Sequence, residues 1–173
     1  MDKKQRLNLQ ERSHPCVMWF RRDLRIDDQP VLKTAEKLSK GRVICVYCLD
    51  PREYESNEIG WPKCGAYRAQ FLIESLTDLR SKLIRLGSNL IILRGRPEEV
   101  LVDLASRHGA THIVCQDPTS HDESEQIKRV QDQCVRENIE YREIEGATLY
   151  GVDRIPFELN ALPTDFIRYR REV

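Results

Sequence analysis

The chain has no net charge: 28 Lys and Arg residues stand against 28 Asp and Glu. That balance argues against strong non-specific attraction of the whole chain to nucleic acid, although a local basic patch remains open. No apolar run approaches the roughly 20 residues of a membrane span. The first 14 residues lack the apolar core of a secretory signal, and Asp2 and Glu11 among them speak against a transit peptide. A soluble, intracellular and cytoplasmic setting is expected, with nucleus and organelle left open. Neither GxGxxG nor GxxxxGKS/T occurs, so the common phosphate-binding loops are missing, and there is no nucleophile elbow. His14, His108, His112 and His121 have no second His, Cys or acid at the spacing of a metal set. There is no internal repeat and no low-complexity stretch.

What is present first is cysteine. Six are spread as Cys16, Cys45, Cys48, Cys64, Cys115 and Cys134. Cys45 and Cys48 have the CxxC form but sit inside a strand pattern, where residues three apart face opposite sides. Reduced core thiols are therefore expected rather than a shared metal or a redox disulfide. At 173 residues the length suits one domain with a real core.

Four strand-then-helix units follow one another. Cys16 to Phe20 is a short apolar run apt for a buried strand, and the cluster Arg21, Arg22, Asp23, Arg25, Asp27 and Asp28 follows it. The first helix is expected to be capped by Asp27 or Asp28, with Pro30 in its first turn and Gly41 as its stop. Val43 to Leu49 reads as a strand covered on both faces. Arg52 to Lys63 is a long loop, a length that is often functional. Leu72, Leu76, Leu79, Leu83 and Leu86 predict a core-facing stripe on a helix over 65–86. Leu90 to Leu93 is the third strand, and Gly95-Arg96-Pro97-Glu98-Glu99 opens the next helix, which Gly109 closes. His112 to Gln116 is the fourth strand. Ser120 and Glu123 have capping-box spacing, and Ile127, Val130 and Cys134 form the buried stripe behind them. Ile139 to Ile144 predicts a weak fifth strand at an edge. The alternation implies a doubly wound, Rossmann-like α/β fold: a parallel five-stranded sheet with helices on both faces and right-handed crossovers.

In such sheets ligands bind past the carboxyl ends of the strands. Arg21-Arg22-Asp23, Cys48-Leu49-Asp50 and Asp117-Pro118 are expected to converge there. Arg and Asp on this rim could bind a polar heteroaromatic ligand, or could form a structural ion-pair network holding loops.

Trp19-Phe20-Arg21-Arg22-Asp23-Leu24-Arg25 resembles the first-strand signature of the DNA photolyase and cryptochrome family, and Asp27-Asp28-Gln29-Pro30-Val31-Leu32 resembles its continuation. Val46-Tyr47-Cys48-Leu49-Asp50-Pro51 is similar to the family's second strand. Lys63-Cys64-Gly65-Ala66-Tyr67-Arg68-Ala69-Gln70-Phe71-Leu72 is similar to the start of its long helix. Gly95-Arg96-Pro97-Glu98 and Leu162-Pro163 also fit. The pattern is closest to the DASH cryptochromes and plant photolyase-like proteins, and covers only the family's N-terminal α/β domain.

The resemblance implies a flexible arm over 1–15, the α/β domain over 16–150, and an extended exit segment over 151–173 leading toward an absent helical FAD domain. FAD is not expected on this chain alone, nor is catalysis. Completed by a flavin-bearing helical domain or protein, the chain would be part of a DNA photolyase, a carbon–carbon lyase, or of a blue-light photoreceptor. The family's α/β domain helps hold an antenna chromophore, a deazaflavin or methenyltetrahydrofolate. By that likeness Arg22, Cys48, Asp50 and Asp117 are the candidate contacts. Pro118 stands where folate binders carry a Glu. A nucleotide-like ligand in place of the antenna is left open, and a ligand-free protein-interaction module is the alternative.

Overall fold

The computed structural model describes residues 13–173, apart from 57, 119, 149–150 and 152–153. Most of the expected N-terminal arm, and Thr119 in the loop after the fourth strand, therefore lie outside the described residues.

Five strands form one parallel sheet: β1 (Cys16–Phe20), β2 (Val43–Leu49), β3 (Leu90–Arg94), β4 (His112–Gln116) and β5 (Glu140–Ile144). Their spatial order is β3-β2-β1-β4-β5. Cys16 is in register with Val43 on one side and His112 on the other. β1 is central, which explains why all five of its residues are buried and apolar. β5 lies at the edge, and its mixed sequence reflects exposure on that side.

Helices cover both faces. Met18 and Phe20 point toward α1 (Pro30–Ser39) and α2 (Ala66–Arg85), packing with Val31, Ala35, Leu79 and Leu83. Val17 and Trp19 point the other way, toward α3 (Pro97–His108) and α4 (His121–Arg136), packing with Leu101, Ala105, Ile127 and Val130. This alternation places Cys45 in the first layer and Cys48 in the second. The two thiols of the CxxC sequence face opposite sides of the sheet, as expected.

Several local expectations need correction. The N-cap of α1 is Gln29, not Asp27 or Asp28. Its side chain accepts from the Val31 N–H at 3.2 Å while its amide donates to Asp23. Asp28 instead adopts a left-handed turn conformation, with φ of 46°. Ser120 is the N-cap of α4 but makes no side-chain capping bond, and the Glu123 side chain pairs with Arg22. Leu76, Leu79 and Leu83 are buried as the stripe predicts, but Leu86 is at the helix end and 66% exposed. The exit segment is not extended throughout: Asp165 caps a last helix, α5 (Phe166–Glu172), by accepting from the Ile167 N–H.

Candidate functional site

The strand order reverses at β1, the topological feature beside which doubly wound sheets place ligands. A cavity of about 360 Å³ opens at the carboxyl ends of β1 and β2. Trp19, Tyr47, Tyr54 and Phe71 give it apolar and aromatic surface. Arg21, Arg22 and Arg68 bring N–H donors, and Glu53, Glu123 and Gln126 bring acceptors. Its size falls within the usual range of small-molecule sites.

The charge cluster after β1 divides its labour. Asp23 is buried and shapes the β1–α1 turn: Oδ1 accepts from the Arg21 N–H at 2.9 Å, and Oδ2 from Gln29 Nε2 at 2.9 Å. Arg25 ties that turn to the segment after β5, donating to the carbonyls of Asp28 and Gly146. These two serve the loop, while Arg21 and Arg22 face the cavity. Arg21 lies over the Trp19 ring, 5.0 Å from its centroid, and its Nη2 donates to Gln126 Oε1 at 3.3 Å. Arg22 pairs through Nε with Glu123 in the first turn of α4.

Beneath the wall lies a buried polar chain. Asp50 follows β2, is 1% exposed, and accepts from Gln126 Nε2 at 2.8 Å. Arg52 donates to both Asp50 oxygens at 2.6–3.0 Å and to both oxygens of Glu98 at 2.8 and 2.9 Å. Burial pushes the Asp50 carboxyl up, but hydrogen bonds from Arg52 and Gln126 outweigh it and hold the group below its ordinary value. Cys48 lines the cavity and donates to the Gly95 carbonyl at 3.2 Å. Burial, reinforced by nearby carboxylates, pushes its thiol up to about 12, so it is a neutral wall group and not a nucleophile. Gly95 has φ of 149°, and a Cβ there would lie 2.6 Å from Val100 Cγ1. Only glycine leaves room for the close turn that Cys48 contacts.

The four expected contacts are thus placed differently. Arg22 and Cys48 are in the cavity wall. Asp50 sits under it and reaches it through Gln126. Asp117 does not line it: its N–H is bonded to the Ile144 carbonyl at 3.1 Å, which holds the loop after β4 against β5. Its Oδ1 is buried without a hydrogen-bond partner among the described residues.

Gln126 was not singled out from the sequence, and Glu123 only as a capping residue and not as part of the site, yet a signal was there. They precede Ile127 and Val130 by four residues each, so two polar side chains continue an apolar stripe. Polar groups on a buried face need partners, and here the partners are Arg22, Arg21 and Asp50. Among the described residues no group of three or more His, Cys, Asp or Glu could hold a metal ion. No described helix is long and apolar enough to cross a membrane.

Comparison with known proteins agrees with this architecture. The blue-light photoreceptor PHR2 of Arabidopsis thaliana is 40% identical over 158 residues, which are 91% of this chain and 35% of that protein. Cryptochrome DASH of Gloeobacter violaceus is 35% identical over 157 residues, 91% of this chain and 31% of the relative. The chain therefore spans about a third of the length of these relatives. Among solved structures, a Synechocystis cryptochrome superimposes with a TM-score of 0.83 at 30% identity, over 92% of this chain and 33% of that one. A Sulfolobus tokodaii photolyase, described as holding two FAD molecules and implying a novel light-harvesting cofactor, matches with a TM-score of 0.69 at 26% identity, over 91% of this chain and 34% of its own. The DNA photolyase family model matches residues 16–173, and the chain belongs to that family, as its N-terminal α/β domain.

Proposed function

We propose that the cavity at the ends of β1 and β2 holds a planar heteroaromatic antenna chromophore. The observation that carries this reading is the cavity itself: aromatic walls with Arg donors and carboxylate or amide acceptors around one rim. Such a lining suits a flat ring with polar edges. When bound, the group would supply near-ultraviolet or blue absorption. The protein's part is to bind and orient it and to keep water away.

In this reading Arg22 and Cys48 touch the ligand, and Asp50 acts through Gln126. Asp117 acts only if its loop turns from β5 toward the rim. A deazaflavin suits the site better than methenyltetrahydrofolate, because Pro118 offers no carboxylate after β4. The excitation would pass to a flavin on a helical domain or partner protein. The completed protein would be a light-dependent DNA repair enzyme or a blue-light photoreceptor.

The test is an absorption titration of the chain with 8-hydroxy-5-deazaflavin and, separately, with methenyltetrahydrofolate. A saturable, red-shifted band is expected, weakened about tenfold in Arg22→Ala with an unchanged melting curve. No band with either compound would replace this reading with the ligand-free interaction module.

A further inference from the structure

We infer that Arg21 and Gln126 together read the lactam edge of the ligand, an N–H and a C=O on adjacent ring atoms. The inference rests on the cavity reading above and names the chemical class that the cavity selects.

The orientation of the Gln126 amide is forced. Its Nε2 donates to Asp50 Oδ2 at 2.8 Å, and its Oε1 accepts from Arg21 Nη2 at 3.3 Å. An ionised carboxylate only accepts and a guanidinium only donates, so a flipped amide would lose both bonds. Burial raises the carboxyl of Glu53, which also lines the cavity, and hydrogen bonding from Gln126 acts the other way. The amide nitrogen is thus turned toward Asp50, while the oxygen has two lone pairs and Arg21 takes one. Gln126 therefore offers the cavity its acceptor.

Arg21 is equally constrained. Its guanidinium carbon lies over the Trp19 ring, and the guanidinium carries five N–H donors in a rigid fork. The result is a fixed donor beside a fixed acceptor, next to aromatic surface. The matching surface is an acceptor beside a donor on a flat ring, which is a cis-lactam or ring imide. The pyrimidinedione ring of flavins and deazaflavins has this edge, and so does the pyrimidinone of pterins. A bare anion matches poorly, because Gln126 Oε1 and the Glu123 carboxylate would both face it. Asp50 is held in turn by three side-chain bonds from Arg52, which makes two more to Glu98, so the reading pair is anchored to the sheet and not to a loose loop.

The test uses riboflavin and N3-methylriboflavin, which differ at the one N–H that this edge presents. Both are titrated against the full chain and against Gln126→Leu, following flavin fluorescence. Wild type is expected to prefer riboflavin by roughly tenfold or more, since methylation removes the donor and sets a methyl group against the acceptor oxygen. In Gln126→Leu that preference should fall to near one. A merely structural role for Gln126 would lower both affinities and keep their ratio. Equal binding of the two flavins by wild type overturns the inference while leaving the cavity reading intact, and needs no variant to fold. A preference that survives in Gln126→Leu overturns it as well. Wild type that binds neither these flavins nor the compounds of the preceding titration overturns both readings together.

Discussion

At the scale of single residues, Asp50 shows how burial and partners compete. Its side chain is out of water, yet Arg52 and Gln126 hold its carboxyl below the ordinary value. The folded value is thus lower than the unfolded one. The carboxylate stabilises the native state fully above about pH 4, and that contribution is lost as the pH falls through the folded value. Asp50→Asn is expected to cost about 3 kcal/mol at pH 7, because Arg52 keeps a charge with half its partners removed. Urea melts of both proteins should converge in acid. A gap that stays the same from pH 7 to pH 2 would contradict the assignment. The cysteines divide in the same manner. Burial pushes Cys16, Cys48 and Cys115 up to about 12, and Cys45 and Cys134 up to about 11. Cys64 is partly exposed in the cavity wall. Iodoacetamide at pH 8 should label Cys64 rapidly and the other five only on unfolding, which peptide mass mapping would show. The sequence did announce these thiols as core residues, because four of them fall in apolar strand runs. It did not announce that Cys64 borders a cavity, since its loop has no period from which a face can be read.

At the scale of elements, α2 separates pattern from packing. Its leucine stripe runs from Leu72 to Leu86 in the sequence, but the sheet it covers ends sooner. Leu79 is 1% exposed and Leu86 is 66% exposed. Leu79→Ala should cost about 3 kcal/mol by removing buried methyl groups and leaving a void. Leu86→Ala should change stability by less than about 0.5 kcal/mol. Thermal or urea unfolding of the two variants checks both, and equal losses would mean the stripe packs along its whole length. The helix starts teach a related lesson. Asp27 and Asp28 are good caps by residue type, but Gln29 takes the position because Asp23 holds its amide. Ser120 and Glu123 have the spacing of a capping box, but the Ser120 side chain makes no capping bond and Glu123 pairs with Arg22. Capping signals are read from residue type and spacing, and in both places contacts beyond the cap itself decide how the side chains are used.

At the scale of the molecule, the chain is one doubly wound sheet with its cavity near the point where the strand order reverses. It spans about a third of its curated relatives. The proposal that the catalytic flavin resides elsewhere has a direct check: the Arg22→Ala chain, its cavity weakened, should carry no stoichiometric FAD after desalting, read by flavin absorbance, and FAD that stays bound to that variant would overturn it. The sequence by itself determined the sheet, its parallel sense and the positions of the strands and long helices. Buried strands and amphipathic helices declare themselves through local periodicity, and alternation of the two types leaves few topologies. It also determined the family, through ordered motifs around β1, β2 and α2. Only the tertiary structure decided which charges serve the loop and which face the cavity. Asp23 and Arg25 are spent on the turn, Asp117 is held toward β5, and Glu123 and Gln126 arrive from α4, about a hundred residues after Arg21 and Arg22. Side chains so far apart in the chain meet only when α4 packs on the sheet, and no local pattern records that meeting.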